Sequence, residues 1–507
     1  MADAVEHVDV LIVGAGLSGI GAASRLRRAF PQRRCVILEA RADIGGTWDL
    51  FRYPGVRSDS DMFTLGYRFR PWAGDRSIAD GASILTYLRD TVSEEGIGEQ
   101  IRFGHRVVAA EWSSTMRRWT VSAQRTDTGE TVVLTASFLF CCSGYYRYDR
   151  GCTPKFTGRQ RFSGPVVHPQ HWPHDMDVAG KRVVIVGSGA TAMTLGPALA
   201  RLGARVSVVQ RSPSYIMSVP ARDRWVAWLP RILPRGVAHR VLRAKGIAVD
   251  TTIYQLSRRY PDRARAWLRA RQTSALPHGY DIDTHFTPRY DPWDQRMCLV
   301  PDGDLFEAIR TGALEMITDR IDTLTESGVR LTSGTEVPAD IIVTATGLEL
   351  QVFGGIALSV DGEPVDVPKR LAYKAMMLSG VPNFAFTIGY VNASWTLKAD
   401  LVCDYVVRLL RHLDRRAYAS VTPVHDPDAV RAPFVPDFTP GYFRRGGAHF
   451  PSGGDRAPWR LRMNYLRDLP TFRHHRLEDG ILQFTHAERR LAEDAEPEAS
   501  QVVTGRP

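Results

Sequence analysis

The sequence predicts an α/β protein with two Rossmann-like domains and a helical insertion in the second of them. Residues 8–14 form a short, β-branched apolar run that ends in glycine, as expected for a buried parallel strand. Residues 17–29 then have helical periodicity, and residues 35–39 form a second apolar run. The same pattern recurs at 181–211. The two βαβ units start 173 residues apart, at Gly14 and Gly187, so we expect two separate sheets.

The bulk composition is that of an ordinary globular protein, with 44% hydrophobic and 24% charged residues among 507. That length suffices for about three domains. No apolar run reaches the roughly 18 residues of a membrane-spanning helix, and the first residues lack the basic end of a signal peptide. The six cysteines form no CxxC pair and no metal-type spacing. We therefore expect a cytoplasmic protein with reduced thiols and no metal site.

The first glycine-rich turn, GAGLSG from Gly14 to Gly19, lies between the predicted strand and helix, where a dinucleotide site requires it. Its glycines allow a tight turn and close approach of a pyrophosphate, and the helix N-terminus supplies N–H groups. Glu39 ends the second strand and is placed to accept hydrogen bonds from ribose hydroxyls. The turn therefore predicts a site for an adenine dinucleotide without a 2′-phosphate.

The second turn, GSGATA from Gly187 to Ala192, is followed by arginine where the first unit has glutamate. Arg211 occupies roughly the position of Glu39, and it would bind a 2′-phosphate that glutamate would repel. Gln210 and Ser212 are expected to be supporting donors. The second turn therefore predicts NADPH binding, and two dinucleotides on one chain are most simply FAD and NADPH exchanging a hydride.

The loop GGTWDLFRYPGVRSD, from Gly45 to Asp59, directly follows the first unit, as a flavin-cradling loop would. Reduced flavin then needs an acceptor. A disulfide reductase would need a redox CxxC, which is absent, and oxygen is the remaining common acceptor. A reductase that passes electrons to a protein or quinone partner stays open as an alternative.

Several motifs give the chain a family resemblance over nearly its full length. GGTWDLFRYPGVRSDSDM, FSGPVVHPQHWP, VIVGSGATA, DPWDQR and GYVNASWTLKADL resemble class B flavoprotein monooxygenases, and among them the Baeyer-Villiger monooxygenases of the mycobacterial ethionamide-activating subgroup. The fingerprint of that family is met by Phe162, Gly164, His168 and Trp172, with Pro173 after them. Relatives that mainly oxygenate nitrogen or sulfur usually lack the tryptophan, so the resemblance favours ketone oxidation.

The resemblance also implies two catalytic residues. Arg296, in DPWDQRMCLVP, aligns with the arginine that stabilises the anionic flavin peroxide and its ketone adduct in that family. Asp59 matches the acid that orients this arginine. The implied reaction converts a ketone and O2 into an ester or lactone, with oxidation of sulfides or thioamides as a second activity. A monooxygenase that acts only on nitrogen or sulfur is the nearest alternative.

The net charge of +10 is concentrated in one segment, because eleven Lys or Arg and two Asp between Arg231 and Arg271 give 11 − 2 = +9. This local charge argues against nucleic-acid binding over the whole surface. Residues 222–275 read as helical, with a break at Pro261 and an apolar face of Ile253, Leu256, Tyr260, Ala264 and Trp267. A solvated face, attraction of NADPH, and peripheral attachment to the inner face of a membrane all remain open.

The predicted domains follow from these positions. The FAD-binding domain takes 1–147 and 349–486, the fingerprint linker 148–180, the NADPH-binding domain 181–221 and 291–348, the insertion 222–290, and a disordered tail 487–507. The candidate FAD contacts are Gly14, Gly16, Ser18, Gly19, Glu39, Gly46, Thr47, Trp48, Asp49, Asp59 and Val107. The candidate NADPH contacts are Gly187, Ser188, Gly189, Ala190, Thr191, Ala192, Gln210, Arg211 and Ser212. The physiological substrate and the oligomeric state are not specified by the sequence.

Overall fold

The computed structural model describes residues 5–435 and 438–486, so the predicted tail at 487–507 lies outside the described residues. The helices are α1 (Leu17–Ala29), α2 (Thr47–Leu50), α3 (Met62–Leu65), α4 (Gly81–Glu94), α5 (Ala190–Arg201), α6 (Arg224–Ile232), α7 (Arg235–Arg259), α8 (Pro261–Ala275), α9 (Ile282–Phe286), α10 (Asp304–Arg310), α11 (Trp395–Arg416), α12 (Gly441–Gly446) and α13 (Tyr465–Arg473).

The strands alternate with these helices in the first half of each unit and form antiparallel extensions elsewhere. In chain order they are β1 (Glu6–Val13), β2 (Cys35–Leu38), β3 (Ile101–Arg102), β4 (His105–Ser113), β5 (Arg118–Arg125), β6 (Thr131–Cys141), β7 (Tyr146–Gly151), β8 (Val166–Val167), β9 (Arg182–Val186), β10 (Arg205–Gln210), β11 (Ile216–Val219), β12 (Cys298–Pro301), β13 (Leu314–Thr318), β14 (Ile321–Leu324), β15 (Gly328–Leu331), β16 (Glu336–Pro338), β17 (Ile341–Thr344), β18 (Leu348–Leu350), β19 (Ala357–Val360), β20 (Glu363–Pro364), β21 (Ala372–Tyr373), β22 (Met377–Leu378), β23 (Phe384–Phe386), β24 (Tyr418–Pro423), β25 (Arg431–Ala432), β26 (Gly453–Gly454) and β27 (Leu482–His486).

The first sheet has the order β20-β19-β4-β5-β6-β1-β2-β3, with β23 added beside β6. Its centre is parallel, since β1 pairs in parallel with both β2 and β6. Along β1, Val10 and Ile12 enter one hydrophobic core while Val8 and Leu11 enter the core on the other face. Because both faces are covered, the strand ends in four consecutive apolar residues, 10–13.

The second sheet, β13-β10-β9-β17-β8, is parallel throughout. Val183 and Ile185 of β9 face one core, and Val184 and Val186 face the other. The predicted α/β fold with two Rossmann-like units is confirmed, and α1 has the predicted ends at residues 17 and 29.

The chain passes between the two sheets in two connecting segments, and these segments pair with each other as β-strands. The chain leaves the first sheet through β7 and returns from the second through β18, and these strands are antiparallel neighbours with Leu350 opposite Tyr146. The connection between the two units is therefore a short ribbon rather than two independent linkers.

The insertion is helical, with its break at the predicted place, since α7 ends at Arg259 and α8 begins at Pro261. The predicted apolar face, however, is not a core face. Leu256, Tyr260 and Trp267 are each about half exposed, and the residues buried along α7 and α8 include Leu242 and Leu268 instead. Within the described ranges, no helix is both long enough and apolar enough to cross a bilayer.

A buried ion pair joins two helices of the C-terminal region. Lys398 of α11 has 2% side-chain exposure, and its Nζ lies 2.9 Å from Oδ2 of Asp468 on α13. The hydroxyl of Tyr390 donates to the same carboxylate oxygen over 2.6 Å. Burial lowers the pKa of Lys398, and Asp468 opposes that shift. The carboxylate therefore keeps an enclosed ammonium compensated.

We predict that Asp468→Ala destabilises the protein by about 3–5 kcal/mol, because it leaves the buried Lys398 ammonium without its counter-charge. The measurement is the denaturant midpoint of the flavin-loaded protein. Asp366→Ala is the matched control, since it removes the acid of the exposed pair with Lys369 and should cost less than about 1 kcal/mol. Equal midpoints for the two variants would contradict the prediction.

Candidate active site

The first glycine-rich turn brings the start of α1 against the end of β1. Gly14 has φ +98°, and a Cβ at Gly19 would lie 1.8 Å from the carbonyl oxygen of Gly14. Only glycine at position 19 lets the helix approach the strand this closely. Gly19 therefore packs the turn, while Gly14, Gly16 and Ser18 line a large cavity.

Glu39 lies at the floor of this turn and is buried. Its Oε2 accepts a hydrogen bond from the N–H of Ala15 over 2.7 Å, and its Oε1 accepts from the N–H of Arg41 over 2.9 Å. Burial raises the pKa of Glu39, and these two bonds act in the opposite direction. Each oxygen keeps a free lone pair, so the carboxylate can still accept a ribose hydroxyl.

The loop after the first unit forms a second wall of the cavity. Gly46 has φ +55°, and a Cβ there would lie 3.2 Å from both the Cα of Gly16 and the hydroxyl of Tyr148. The two backbones thus leave a narrow channel without side chains, which fits the passage of a pyrophosphate. Gly46, Thr47, Trp48, Asp59 and Val107 line the cavity, as predicted for FAD contacts.

Asp49 does not line the cavity, although the sequence singled it out. Its buried carboxylate receives a hydrogen bond from Nε of Arg41 over 3.0 Å and forms an ion pair with Arg52. Asp49 therefore holds Arg41, which does line the cavity, and its own oxygens are already occupied.

The second turn repeats the geometry of the first. Gly187 has φ +136°, and a Cβ there would lie 2.3 Å from the carbonyl oxygen of Ala345. The hydroxyl of Ser188 donates to the carbonyl of Ser212 over 3.0 Å, which ties the turn to the end of β10. Gly187, Ser188, Gly189, Ala190 and Thr191 line the cavity, whereas Ala192 is buried in the core beneath it.

Arg211 and Ser212 follow β10 and are exposed at the cavity rim. Gln210 is buried instead, with its Nε2 donating to the carbonyl of His285 and to the hydroxyl of Thr318. Successive side chains near the end of a strand point to opposite sides, so Gln210 and Arg211 cannot both reach one ligand. The guanidinium of Arg211 remains available for a 2′-phosphate.

Both turns open into the same cavity, which has a volume of about 1240 Å³. A cavity that holds one small ligand usually measures roughly 300–1,000 Å³. Since residues of both turns line it, the cavity is a candidate site for two dinucleotides.

Arg296 lies where the two halves of this cavity meet. It directly precedes Met297 and β12, and its Nη2 is 2.6 Å from Oδ2 of Asp59 in the loop of the first unit. The side chain lines the cavity and is 30% exposed. Burial alone would lower the pKa of Arg296, but Asp59 holds it above its ordinary value, so the guanidinium stays charged.

The sequence did not predict a tyrosine that lies near Arg296 and Asp59. Tyr442 of α12 lines the same cavity as Arg296, and burial raises the pKa of its phenol. The charge of Arg296 acts against that shift, so the two groups lie close together. The segment from 438 to 446 carries no recognisable motif, so no signal in the sequence pointed to it.

Trp395 was also missed as a contact. Its indole Nε1 donates to the hydroxyl of Ser18 over 2.7 Å, which joins the start of α11 to the first turn. The motif GYVNASWTLKADL contains this tryptophan, and it contributed to the family resemblance without indicating a role.

The fingerprint residues lie behind the cavity rather than in it. The Nε2 of His168 is 3.1 Å from the carbonyl oxygen of Gly347, and its Nδ1 accepts from the N–H of Gln170. These two bonds require the neutral tautomer with the proton on Nε2. Burial lowers the pKa of His168, which also favours the neutral ring.

His168 therefore ties the outgoing linker to the returning one, next to the ribbon of β7 and β18. A Cβ at Gly151 would lie 2.0 Å from the His168 ring, so the close approach depends on glycine there. Phe162 and Trp172 pack on the two cores of the second sheet, and Gly164 lies against the carbonyl of Asp340. None of the four fingerprint residues lines the cavity.

Comparison with known proteins agrees with this architecture. The flavin-binding monooxygenase-like family model matches residues 79–354, and the NAD(P)-binding Rossmann-like domain model matches residues 12–70. The FAD-containing monooxygenase EthA of Mycolicibacterium smegmatis is 52% identical over 482 residues, which cover 95% of this chain and 97% of that protein.

Two solved structures share the fold. An oxidized steroid monooxygenase bound to NADP has a TM-score of 0.74 and 21% identity, covering 95% of this chain and 100% of that chain. A cyclohexanone monooxygenase from Rhodococcus sp. Phi1 bound to NADP+ has a TM-score of 0.71 and 19% identity, covering 96% of this chain and 100% of that chain.

We predict that Arg211→Ala raises the KM for NADPH at least about tenfold and leaves the KM for NADH nearly unchanged, because a charge-assisted bond to the 2′-phosphate is worth roughly 1.5–3 kcal/mol. Steady-state NAD(P)H oxidation measures both constants. Arg205→Ala, at the opposite end of β10, is the control and should change neither. An equal rise for both nucleotides would show that Arg211 does not recognise the phosphate.

Proposed function

The chain belongs to the flavin-binding monooxygenase-like family, and we propose that within it the protein is an FAD- and NADPH-dependent Baeyer-Villiger monooxygenase. The reaction takes a ketone, O2, NADPH and a proton to an ester or lactone, NADP+ and water. One oxygen atom enters the product next to the carbonyl and the other leaves as water. Sulfides and thioamides are proposed as further substrates.

Two sets of residues are proposed to hold the cofactors. FAD is held by Gly14, Gly16, Glu39 and the loop at Gly46 to Trp48, and NADPH by Gly187 to Thr191 with Arg211. When bound, the flavin accepts the hydride and activates O2. The narrow glycine channel between Gly16 and Gly46 and the acceptor oxygens of Glu39 support the first site. The exposed guanidinium of Arg211 supports the second.

The ion pair of Arg296 with Asp59 carries the proposal. It holds a permanent positive charge at the junction of the two nucleotide sites, where negative charge develops during oxygen transfer. A fixed charge in a site shielded from water stabilises such charge without reorganisation. The 2.6 Å contact with Asp59 fixes one nitrogen of the guanidinium, while the side chain lines the cavity.

Three observations favour a ketone substrate over substrates oxidised only at nitrogen or sulfur. The full fingerprint, including Trp172, is present and connects the two sheets through His168 and Gly347. The two structural neighbours are described as monooxygenases of a steroid and of cyclohexanone. The wall beside Arg296 includes Tyr145 and Tyr146, which suits an apolar substrate with one polar carbonyl.

The proposal is tested with oxygen-18-labelled O2, NADPH and a panel of cyclic, linear and steroidal ketones. We expect an ester or lactone that carries one labelled oxygen, identified by mass spectrometry. A sulfide run in parallel should give a sulfoxide with one labelled oxygen. Sulfoxide without any ester from the panel would favour the nitrogen- or sulfur-oxidising alternative, and hydrogen peroxide alone would favour a reductase.

We predict that Arg296→Ala lowers the rate of ester formation by about 10²–10³, because it removes the preorganised charge from the oxygen-transfer step. Stopped-flow reduction of the flavin by NADPH should change less than about threefold, since hydride transfer does not use that charge. Arg289→Ala, on the same segment but exposed and away from the cavity, is the control. A normal ester yield from Arg296→Ala would contradict the role proposed for Arg296 in oxygen transfer.

A further inference from the structure

We propose that the insertion carries a membrane-docking surface, formed by the exposed face of α6 and the adjoining part of α7, that binds a bilayer rich in anionic phospholipid. We define the docking surface by Trp225, Trp228 and Ile232 on α6 and Val241 and Val249 on α7. The inference stands apart from the proposed reaction, since none of these residues lines the cavity.

The helix α6 is amphipathic in an unusual way, because its large aromatic residues face solvent. Trp225, Trp228 and Ile232 follow the spacing i, i+3, i+7 and are 48%, 52% and 54% exposed. The two indoles meet edge to face with their ring centroids 6.1 Å apart. Leu229, on the neighbouring side of the helix, is buried in one small core with Phe63. The core side of α6 is thus occupied, while Trp228 and Ile232 are open to solvent and the ring of Trp225 is contacted by Lys245 of α7.

The exposed apolar face continues onto α7. The Nζ of Lys245 lies 5.4 Å from the centroid of a Trp225 ring, which places the tryptophan against the middle of α7. Val241 and Val249 stand four residues before and after Lys245, so the three share one side of the helix. Both valines are exposed. The valines therefore flank Lys245 on the side of α7 that meets Trp225.

The positive charge around this surface is not neutralised. Arg224, Arg231, Arg235 and Arg240 form no ion pair with a carboxylate within the described ranges, and the nearby Asp223 is already bound to Lys245. Farther along the insertion Arg265 and Arg269 are paired with Asp291 and Asp283, while Arg259, Arg263 and Arg271 lie over the rings of Tyr260 and Trp267. Four arginines without a carboxylate partner among the described residues thus lie on α6 and the first half of α7.

This combination identifies the partner as an anionic membrane surface. Indole rings prefer the boundary between headgroups and acyl chains, and unpaired arginines bind lipid phosphates. A second copy of the chain fits worse, because a two-fold interface would bring the same four arginines against each other. A short helix with aromatic residues outward and a basic border is typical of attachment in the membrane plane.

The docking surface lies close to the loop that forms the cavity wall. Gly246 of α7 packs on Asp61, since a Cβ there would lie 2.6 Å from Oδ2 of Asp61. Asp61 follows Ser60, which lines the cavity together with Asp59. A bilayer bound to this surface would therefore lie next to the cavity wall. An apolar substrate dissolved in the lipid would then be close to the cavity.

The test uses the flavin-loaded full chain and sedimentation with sucrose-loaded vesicles, either of phosphatidylcholine alone or with 30–40% phosphatidylglycerol, roughly the anionic range in which basic residues attract a protein. We expect binding to the anionic vesicles and little to the neutral ones. Each removed arginine should weaken binding about fivefold, so Arg231→Gln with Arg235→Gln should weaken it roughly 25-fold. Trp225→Ser with Trp228→Ser should weaken it at least about tenfold.

Matched controls come from other surfaces of the chain. Val430→Ser with Leu466→Ser removes equally exposed apolar residues, and Arg205→Gln with Arg330→Gln removes exposed arginines elsewhere. These controls should bind like the unmodified protein. Flavin content and NADPH oxidation without vesicles should be the same for all variants, which shows that they are folded. Sedimentation equilibrium is run on the tryptophan variant as well.

Three results would overturn the inference. The first is no binding to either vesicle, and the second is equal binding to neutral and anionic vesicles. The third is a loss of self-association, rather than of vesicle binding, in the tryptophan variant, which would assign the surface to a second copy of the chain.

Discussion

The ion pair between Arg296 and Asp59 is the interaction on which the arrangement of the two halves depends. Asp59 belongs to the loop after the first glycine-rich turn, and Arg296 enters the strand that follows the insertion. If the two segments moved apart, each would keep an uncompensated charge. The ion pair therefore favours the arrangement in which both segments stay in place. The same loop also pairs Arg57 with Asp304 of α10 and packs Tyr53 into the core beside α5. The loop therefore fixes the charge relative to both nucleotide turns.

A second set of contacts joins the halves where the chain crosses between them. The strands β7 and β18 pair, and His168 donates to Gly347, so both crossings of the chain are tied together there. A neutral histidine suits this role because it donates and accepts at once and carries no charge into a half-buried position. The fingerprint residues therefore join the two units to each other and do not line the cavity.

The sequence predicted what local periodicity and strand–turn–helix spacing determine. The βαβ units, the ends of α1 and the break at Pro261 follow from patterns within 30 residues. Asp49 and Gln210 were expected to contact the cofactors because they adjoin the cofactor-binding motifs. In the structure each instead forms hydrogen bonds with protein groups from elsewhere in the chain. Arg296 was predicted only from the family resemblance, and Tyr442 was not predicted at all. Both residues are far from Asp59 in the sequence and come near it only in the folded chain. Which neighbour saturates a polar side chain is a property of the tertiary fold.

The insertion shows the same limit in its apolar residues. A helical stripe of Leu256, Tyr260 and Trp267 reads as a core face, because periodicity records that one side of a helix is apolar and not what covers it. In the folded chain α7 uses Leu242 and neighbouring residues for its core contacts, and the stripe faces outward. On α6 the exposed side pairs two tryptophans with arginines that lack acidic partners. This face is apolar, uncovered and bordered by positive charge that no acid of the described ranges neutralises. Such a face is less stable in water than against the surface of an anionic membrane.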